Sequence, residues 1–410
     1  MTDADKADAF SSYFSEVFTT DLNNIPVVES TMKDIPVLDD VNFSEEIVLK
    51  KLKSLAVNKS MGPDGIHPRL LKETANIMAP QLSLLFSKSM NEGKLPPDWK
   101  VADVKPIFKK GQKSNVENYR PVSLTSVVGK VMEGIIRDEI TSHMLNHDAI
   151  SPHQHGFVSG RSTVTQLLET LELWTKILDE GGSVDIVYLD FRKAFDKVAH
   201  ERLMRKIESH NIKGKLLEWI RAFLTNRTQK VVINDSTSST QPVTSGVPQG
   251  SVLGPLLFTI FINDLPDKIN SDVKMYADDT KVFRRVSCDE DQQQLQTDLD
   301  NLNDWASKWQ MEFHPDKCKV LQIGRYNRNL SYTMINEQSV TALSQSVAEK
   351  DLGIFVDKHL NFEKQSANVI SKANRVLGTI RRSFNNLDCK MCVLLFKALV
   401  RPLLEYDAVA

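Results

Sequence analysis

Little in this sequence is extreme, and the scarcities exclude as much as the motifs include. Only four cysteines (Cys288, Cys318, Cys389 and Cys392) occur in 410 residues, too few for a disulfide scaffold and in keeping with a reducing compartment. Cys389 and Cys392 form a lone CxxC without a second pair or a histidine nearby; they are expected as packed helix residues, not as a zinc site. Long hydrophobic runs are missing. The longest, Leu256 to Ile262, is far too short to cross a bilayer, so no membrane partner is expected. No basic, then apolar, then small-residue leader opens the chain, which argues against secretion. Internal repeats and low-complexity tracts are absent. Net charge is only −2, with 41% hydrophobic and 25% charged residues, the balance of a globular protein of two or three lobes.

That near-neutral total conceals a division. Residues 1–48 carry eleven acidic and two basic side chains, a local net of −9, which leaves +7 from Leu49 onward. Cations are densest from Lys94 to Lys130 and from Lys364 to Arg401, where eight basic residues face one acidic residue, Asp388. Such runs are usually solvated surface. Here they flank an acidic centre in sequence, as a groove for a phosphate backbone requires.

A helix is predicted over 10–18, where Phe10, Tyr13, Phe14, Val17 and Phe18 recur at helical spacing. Residues 19–40 read as a linker. Ser44-Glu45-Glu46 opens a helix, and after the Met61–Gly65 turn one long helix is expected over 68–90, closed by Pro96-Pro97. Short strands at 101–108 precede helices over 127–144 and 163–178. A strand ends at Asp190, helices cover 197–209 and 215–224, and a hairpin pairs 230–233 with 241–244. A Gly-rich bend leads to a helix at 252–263 and then to an acidic hairpin. A helix over 291–309, strands at 320–323 and 352–356, and helices over 367–384 and 391–404 follow. The pattern is α+β: a small, mostly antiparallel sheet backed by helices, with a helical lobe at the end.

Four groups of residues carry chemistry. Tyr276-Ala277-Asp278-Asp279 lies between the apolar patterns Val273, Met275 and Val282, Phe283, so two adjacent carboxylates fall at a hairpin tip. Asp190 ends the apolar run Ile186 to Leu189. If the two strands pair, three acids crowd one spot and call for hard divalent cations. Asp-Asp is also ordinary turn chemistry; its company along the chain decides. Phe195, just beyond Asp190, is either core or a ring beneath a nucleotide sugar. In Ser245 to Ser251 the glycines leave backbone bare for a flat partner such as a base pair. Gln249 there offers a donor and acceptors, and Ser251 can cap the next helix. Lys109 and Arg120 on neighbouring strands suit a triphosphate. Lys317 could protonate a departing pyrophosphate.

Taken in order, these residues resemble a reverse transcriptase of the non-LTR (LINE-type, jockey-like) retrotransposons. The likeness runs through Lys59 to Gly65, Trp99, Lys109, Tyr119-Arg120-Pro121, Gln154-His155-Gly156-Phe157 and the Asp190 segment. It continues through the Gly246 to Ser251 loop, Tyr276 to Asp279, Trp305, Lys317, Asp351-Leu352-Gly353 and Arg401-Pro402, covering about residues 45 to 405. The resemblance implies a right-hand polymerase of fingers, palm and thumb, with an antiparallel palm sheet. Residues 1–41 would be an acidic helix and linker, 42–87 an extension to the fingers, 88–350 fingers and palm, and 351–410 a truncated thumb, the endonuclease being absent. Asp190, Asp278 and Asp279 would hold two Mg²⁺, or Mn²⁺. Lys109 and Arg120 would bind the triphosphate, Phe195 would gate the sugar, and Gln249-Gly250 would touch the nascent base pair. Implied partners are an RNA template, a DNA primer and deoxynucleoside triphosphates, in nucleus and cytoplasm. Two other readings stand beside it. One is an RNA-directed RNA polymerase, with Asp196 contacting a 2′-hydroxyl; the other is an inactive nucleic-acid-binding remnant.

Overall fold

Thr2 starts the first helix, α1 (Asp3–Ser15), its hydroxyl accepting the Asp5 N–H while the Asp5 carboxylate accepts the Thr2 N–H. This capping box draws the helix N-terminal of the predicted 10–18 span. The computed structural model describes residues 2–20, 22, 24–28, 35–324, 331–336, 339–384 and 386–406. α2 (Glu45–Lys53) begins where Ser44 accepts the Ile47 N–H, as its Ser-Glu-Glu signal requires. The single helix expected over 68–90 is two, α3 (Pro68–Glu73) and α4 (Ala75–Glu92). Thr74 divides them, its backbone off helical angles and its hydroxyl bonded to the Leu70 carbonyl.

β1 (Val101–Phe108) and β2 (Tyr119–Leu124) form an antiparallel ribbon. α5 (Val127–Asn146) and α6 (Thr163–Asp179) follow, the latter started by a Ser162–Thr165 capping box. β3 (Val184–Leu189) stops just before Asp190. Next come α7 (His200–Ser209), α8 (Gly214–Leu224), β4 (Arg227–Ile233), β5 (Ser236–Thr237), β6 (Gln241–Val243) and α9 (Gly254–Phe261). The acidic hairpin is β7 (Asp272–Tyr276) and β8 (Asp279–Arg285), followed by α10 (Asp289–Trp309). β9 (Lys319–Ile323), β10 (Thr333–Asn336), β11 (Ser339–Ala342), β12 (Ser344–Ser346), β13 (Ala348–Asp351) and β14 (Ile354–Asp357) complete the strands. α11 (Glu363–Ser383), α12 (Cys389–Leu395) and α13 (Arg401–Glu405) end the described chain.

Three expectations are corrected. Residues 230–233 do not pair with 241–244: β6 takes Arg227 to Gln229, while Val232 and Ile233 pair with β5. Asn234, at φ 50°, closes that tighter hairpin first. The strand predicted at 352–356 starts at Ile354, because Leu352 (φ 46°) and Gly353 (φ 107°) form the β13–β14 turn. Cys389 and Cys392 lie on a helix but are exposed, not packed; the apolar Met391, Val393, Leu394 and Phe396 around them are exposed as well.

The chain divides into two units. The first comprises Met1–Pro152, Arg192–Leu265 and Trp305–Glu312; the second comprises His153–Phe191, Pro266–Asp304 and Phe313–Ala410. The first unit's sheet runs β2-β1-β4-β5, with β6 also on β4 and a parallel pairing of β1 with β4. Ala7, Phe10 and Phe14 of α1 pack on Val104 and Val231 of this sheet, and Phe10 meets Tyr119 edge-on at 4.7 Å. The second unit's sheet runs β12-β9-β3-β8-β7, antiparallel except for β12 with β9. Trp174 of α6 seals it, buried with Val184, Ile186, Phe283, Leu321 and Ile323. No described helix is long and apolar enough to cross a membrane.

Candidate active site

In the second unit the register fixes where the acids fall. β3 pairs with β8 through Leu189 opposite Thr280, and β7 pairs with β8 through Tyr276 opposite Asp279. One further step of the first ladder sets Asp190 level with Asp279, and Asp278 lies in the two-residue turn between β7 and β8. All three acids therefore sit at one end of three adjacent strands. Ala277 takes φ 55° in that turn, a left-handed conformation that costs an L-residue with a Cβ roughly 1–2 kcal/mol. Asp190 is anchored through its main chain: its N–H points to Cys318 Sγ at 3.4 Å, and its carbonyl accepts the His314 N–H at 2.8 Å. Burial pushes the Cys318 thiol up to about 11, so it serves there as an unionised packing group.

Lys317 Nζ stands 3.5 Å from Asp190 Oδ2. The two side chains are 58% and 44% exposed, so solvent screens the pair heavily. Asp190, Asp279 and Lys317 line one open cleft with Gln166, Lys274 and Lys319. At its floor Lys281 and Asp351 form a buried ion pair at 2.5 Å. Burial lowers the Lys281 pKa against the pull of Asp351. The donors at the sheet end are all carboxylate oxygens, the set a hard divalent cation takes. Among the described residues, no three His, Cys, Asp or Glu side chains are gathered tightly enough to hold an ion as they stand.

In the first unit, Lys109 directly follows β1, its N–H on the Asn118 carbonyl at 2.8 Å. Arg120 lies on β2 opposite Ile107. The ribbon thus carries both cations exposed on neighbouring strands. Phe195 sits in the turns before α7, its ring stacked on Phe258 at 4.3 Å and its carbonyl accepting the Val247 N–H at 2.8 Å. The Gln249 carbonyl accepts the Ser123 N–H at 2.7 Å, and Gln249 Nε2 donates to Asp196 Oδ1 at 3.1 Å. Burial raises the Asp196 pKa to about 6, against the pull of Lys193 and the Gln249 bond. A Cβ on Gly250, at φ 118°, would stand 2.3 Å from the Ser123 carbonyl oxygen. Only glycine fits.

Structure adds residues that the motif reading missed. Glu133, buried on α5, accepts the N–H groups of Val252 (2.7 Å) and Leu253 (3.1 Å) and so caps α9; burial raises its pKa. An acid amid Val131, Met132, Ile135 and Ile136 was the available signal. Ser251, proposed as that cap, bonds the Pro248 carbonyl and the Gly254 N–H instead. Gln154 and Gly156, part of the resemblance without a role of their own, lie against the Ala277 turn.

Carboxylates gathered at a sheet end, with cations on a separate ribbon, suit chemistry on phosphates, and the class defined is a nucleotidyltransferase. Comparison with known proteins narrows it: the chain belongs to the reverse transcriptase (RNA-dependent DNA polymerase) family, whose model matches residues 107–358. It is 31% identical over 336 residues to a probable RNA-directed DNA polymerase from transposon BS of Drosophila melanogaster, covering 78% of this chain and 36% of that protein. It is 28% identical to the RNA-directed DNA polymerases from mobile element jockey of Drosophila melanogaster and Drosophila funebris, covering 88% and 99% of this chain. The chain spans 36% to 46% of the length of these relatives. The family generally uses divalent metal ions.

Proposed function

We propose that this chain copies RNA into DNA, extending a DNA primer 3′-hydroxyl with deoxynucleoside triphosphates, as the polymerase portion of a non-LTR retrotransposon protein. The observation that carries the reading is the register of β3, β8 and β7, which brings Asp190, Asp278 and Asp279 to one sheet end. In this reading residues 88–350 are fingers and palm, 42–87 a fingers extension and 351–410 the thumb, working in nucleus and cytoplasm. Asp190, Asp278 and Asp279 would hold two Mg²⁺, or Mn²⁺. Divalent ions, when bound, supply positive charge to the attacking and leaving oxygens of an in-line phosphoryl transfer.

The chain's own groups do the rest. Lys109 and Arg120, exposed on one ribbon, bind and orient the triphosphate. Phe195, fixed by its stack on Phe258, is a rigid wall that rejects a ribose 2′-hydroxyl. Gln249 and Gly250 present bare backbone to the nascent base pair, with Asp196 and Ser123 holding their loop. Lys317 carries the proton for the departing pyrophosphate. Asp196, engaged by Gln249, is poorly placed to serve a ribonucleotide.

The test is Mg²⁺-dependent primer extension on an RNA/DNA hybrid, with deoxy- and ribonucleotides in parallel. Deoxynucleotide extension that disappears in Asp278→Asn is expected. Preferred ribonucleotide incorporation would establish an RNA polymerase. Equal silence of parent and variant would make the chain a binding remnant.

A further inference from the structure

We infer that Gln154 is a positioning residue, holding the Ala277-Asp278 turn from behind and so setting where the carboxylates point. The inference rests on reading Asp278 and Asp279 as the reacting acids. Gln154 is fully buried. Its Oε1 accepts two backbone N–H groups, that of Ala277 at 2.9 Å and that of Gly156 at 2.7 Å.

The segment carrying it runs beside β7. Met275 donates to the His153 carbonyl at 2.9 Å, and His155 donates to the Met275 carbonyl at 2.8 Å. Arg161 Nη1 bonds the Gln154 carbonyl at 2.5 Å. The side-chain oxygen is therefore delivered by a backbone that is itself fixed. Gly156 presses on the same point: a Cβ there would stand 2.3 Å from Ala277 N and 2.9 Å from Tyr276 C, both main-chain atoms that cannot swing aside.

Ala277 is the one residue of this turn at positive φ. A side chain with a Cβ takes that conformation only when its surroundings insist. The Gln154 bond is the local constraint aimed at the strained residue, and Asp278 is next in the chain. Removing the acceptor lets Ala277 relax toward ordinary angles and swings Asp278 with it. The carboxylates would survive but point elsewhere.

The experiment compares parent, Gln154→Leu, Gly156→Ala and the double variant Gln154→Leu/Ala277→Gly. Leucine fills similar space without an acceptor. Glycine at 277 adopts positive φ unaided and suits the first position of a two-residue hairpin turn. Each protein is measured for amide hydrogen exchange across residues 272–285 and for kcat, nucleotide KM and half-saturating Mg²⁺. Gln154→Leu is expected to lower kcat about 100-fold, the scale of a ~1 Å misplacement. It should raise half-saturating Mg²⁺ and leave nucleotide KM nearly unchanged, while exchange in the hairpin accelerates. Gly156→Ala should move the same readouts. The double variant should recover kcat, Mg²⁺ dependence and exchange protection together, which repair of general packing would not do.

A folded Gln154→Leu protein that exchanges and turns over like the parent overturns the inference. So does loss of activity that Ala277→Gly leaves untouched. A parent without polymerase activity would refute the functional reading instead, and hairpin exchange alone would then decide the role of Gln154.

Discussion

Replacing Lys206 by methionine tests how the first unit holds its helices. Lys206 lies on α7 with its side chain 3% exposed. Its ammonium donates to the Phe261 carbonyl at 2.5 Å and to Asp264 Oδ1 at 2.6 Å. It stands 3.7 Å from the Trp309 ring centroid and 4.7 Å from that of Trp305. Trp305 Nε1–H also donates to Asp264 Oδ1, at 3.0 Å. Breaking a buried ion pair by removing one partner costs about 3–5 kcal/mol, because the other charge is left behind. The two partners differ in what is left. Asp264 is 33% exposed, so after Lys206→Met water and the Trp305 N–H can serve it, and methionine packs well against the rings. We expect a loss near 3 kcal/mol. Asp264→Asn strands the ammonium instead, and its loss should lie nearer 5 kcal/mol. Urea unfolding followed by tryptophan fluorescence reads both, since Trp305 and Trp309 border the site. With an m-value of roughly 3 kcal/mol/M, the Lys206→Met midpoint should fall by about 1 M. A variant as stable as the parent, or an Asp264→Asn protein milder than Lys206→Met, refutes this account of the cage.

Two further perturbations address the loop that carries Gln249. Gly250→Ala drives a methyl into the Ser123 carbonyl oxygen and must displace the Ser123–Gln249 bond. Steady-state kinetics should show a ten- to hundredfold fall in kcat/KM for the incoming nucleotide, the scale of a ~1 Å shift; parental nucleotide use by Gly250→Ala would disprove the loop's role. Asp196 predicts a pH dependence. Its folded pKa, about 6, lies above the ordinary 3.8, so the folded state binds the extra proton. Stability should therefore fall as pH rises from about 4 to about 6 and level off above, by about 3 kcal/mol in all. Urea midpoints at pH 4.5 and 7 should show that fall in the parent and less of it in Asp196→Asn; matching pH profiles would exclude Asp196 as its source.

What the sequence could disclose was governed by distance along the chain. The acidic hairpin was legible because both flanking strands announce themselves by local alternation, Val273 and Met275 on one side, Val282 and Phe283 on the other. A two-residue turn then leaves Asp278 and Asp279 no other place. Ser44 was legible as a cap for the same reason, since donor and acceptor lie three residues apart. The failures are non-local or concern which way a helix faces. Helical spacing locates α7 but cannot reveal that Arg202 and Lys206 turn inward, since their partners come from around residues 22–24, 261–264 and 308–309. The parallel pairing of β1 with β4 joins segments separated by three helices and a strand, with no short-range signal to announce it. Exposure of Cys389 and Cys392 eluded an apolar pattern that reads alike whether its face is covered or bare.

The same division runs through the candidate site. Side chains of the kind that meet substrate in this family sit in short motifs and could be named from them: Asp190, Asp278, Asp279, Lys109 and Arg120. The residues that hold those motifs in place are drawn from elsewhere in the chain, as Glu133 is for Leu253 and Gln154 for Ala277. A backbone N–H accepts no substitute for a correctly placed acceptor, yet it leaves no mark on the sequence at its own position. A motif scan therefore recovers the chemistry while passing over the support, and a copy of this chain that kept every carboxylate but lost Gln154 or Glu133 would be misread as intact.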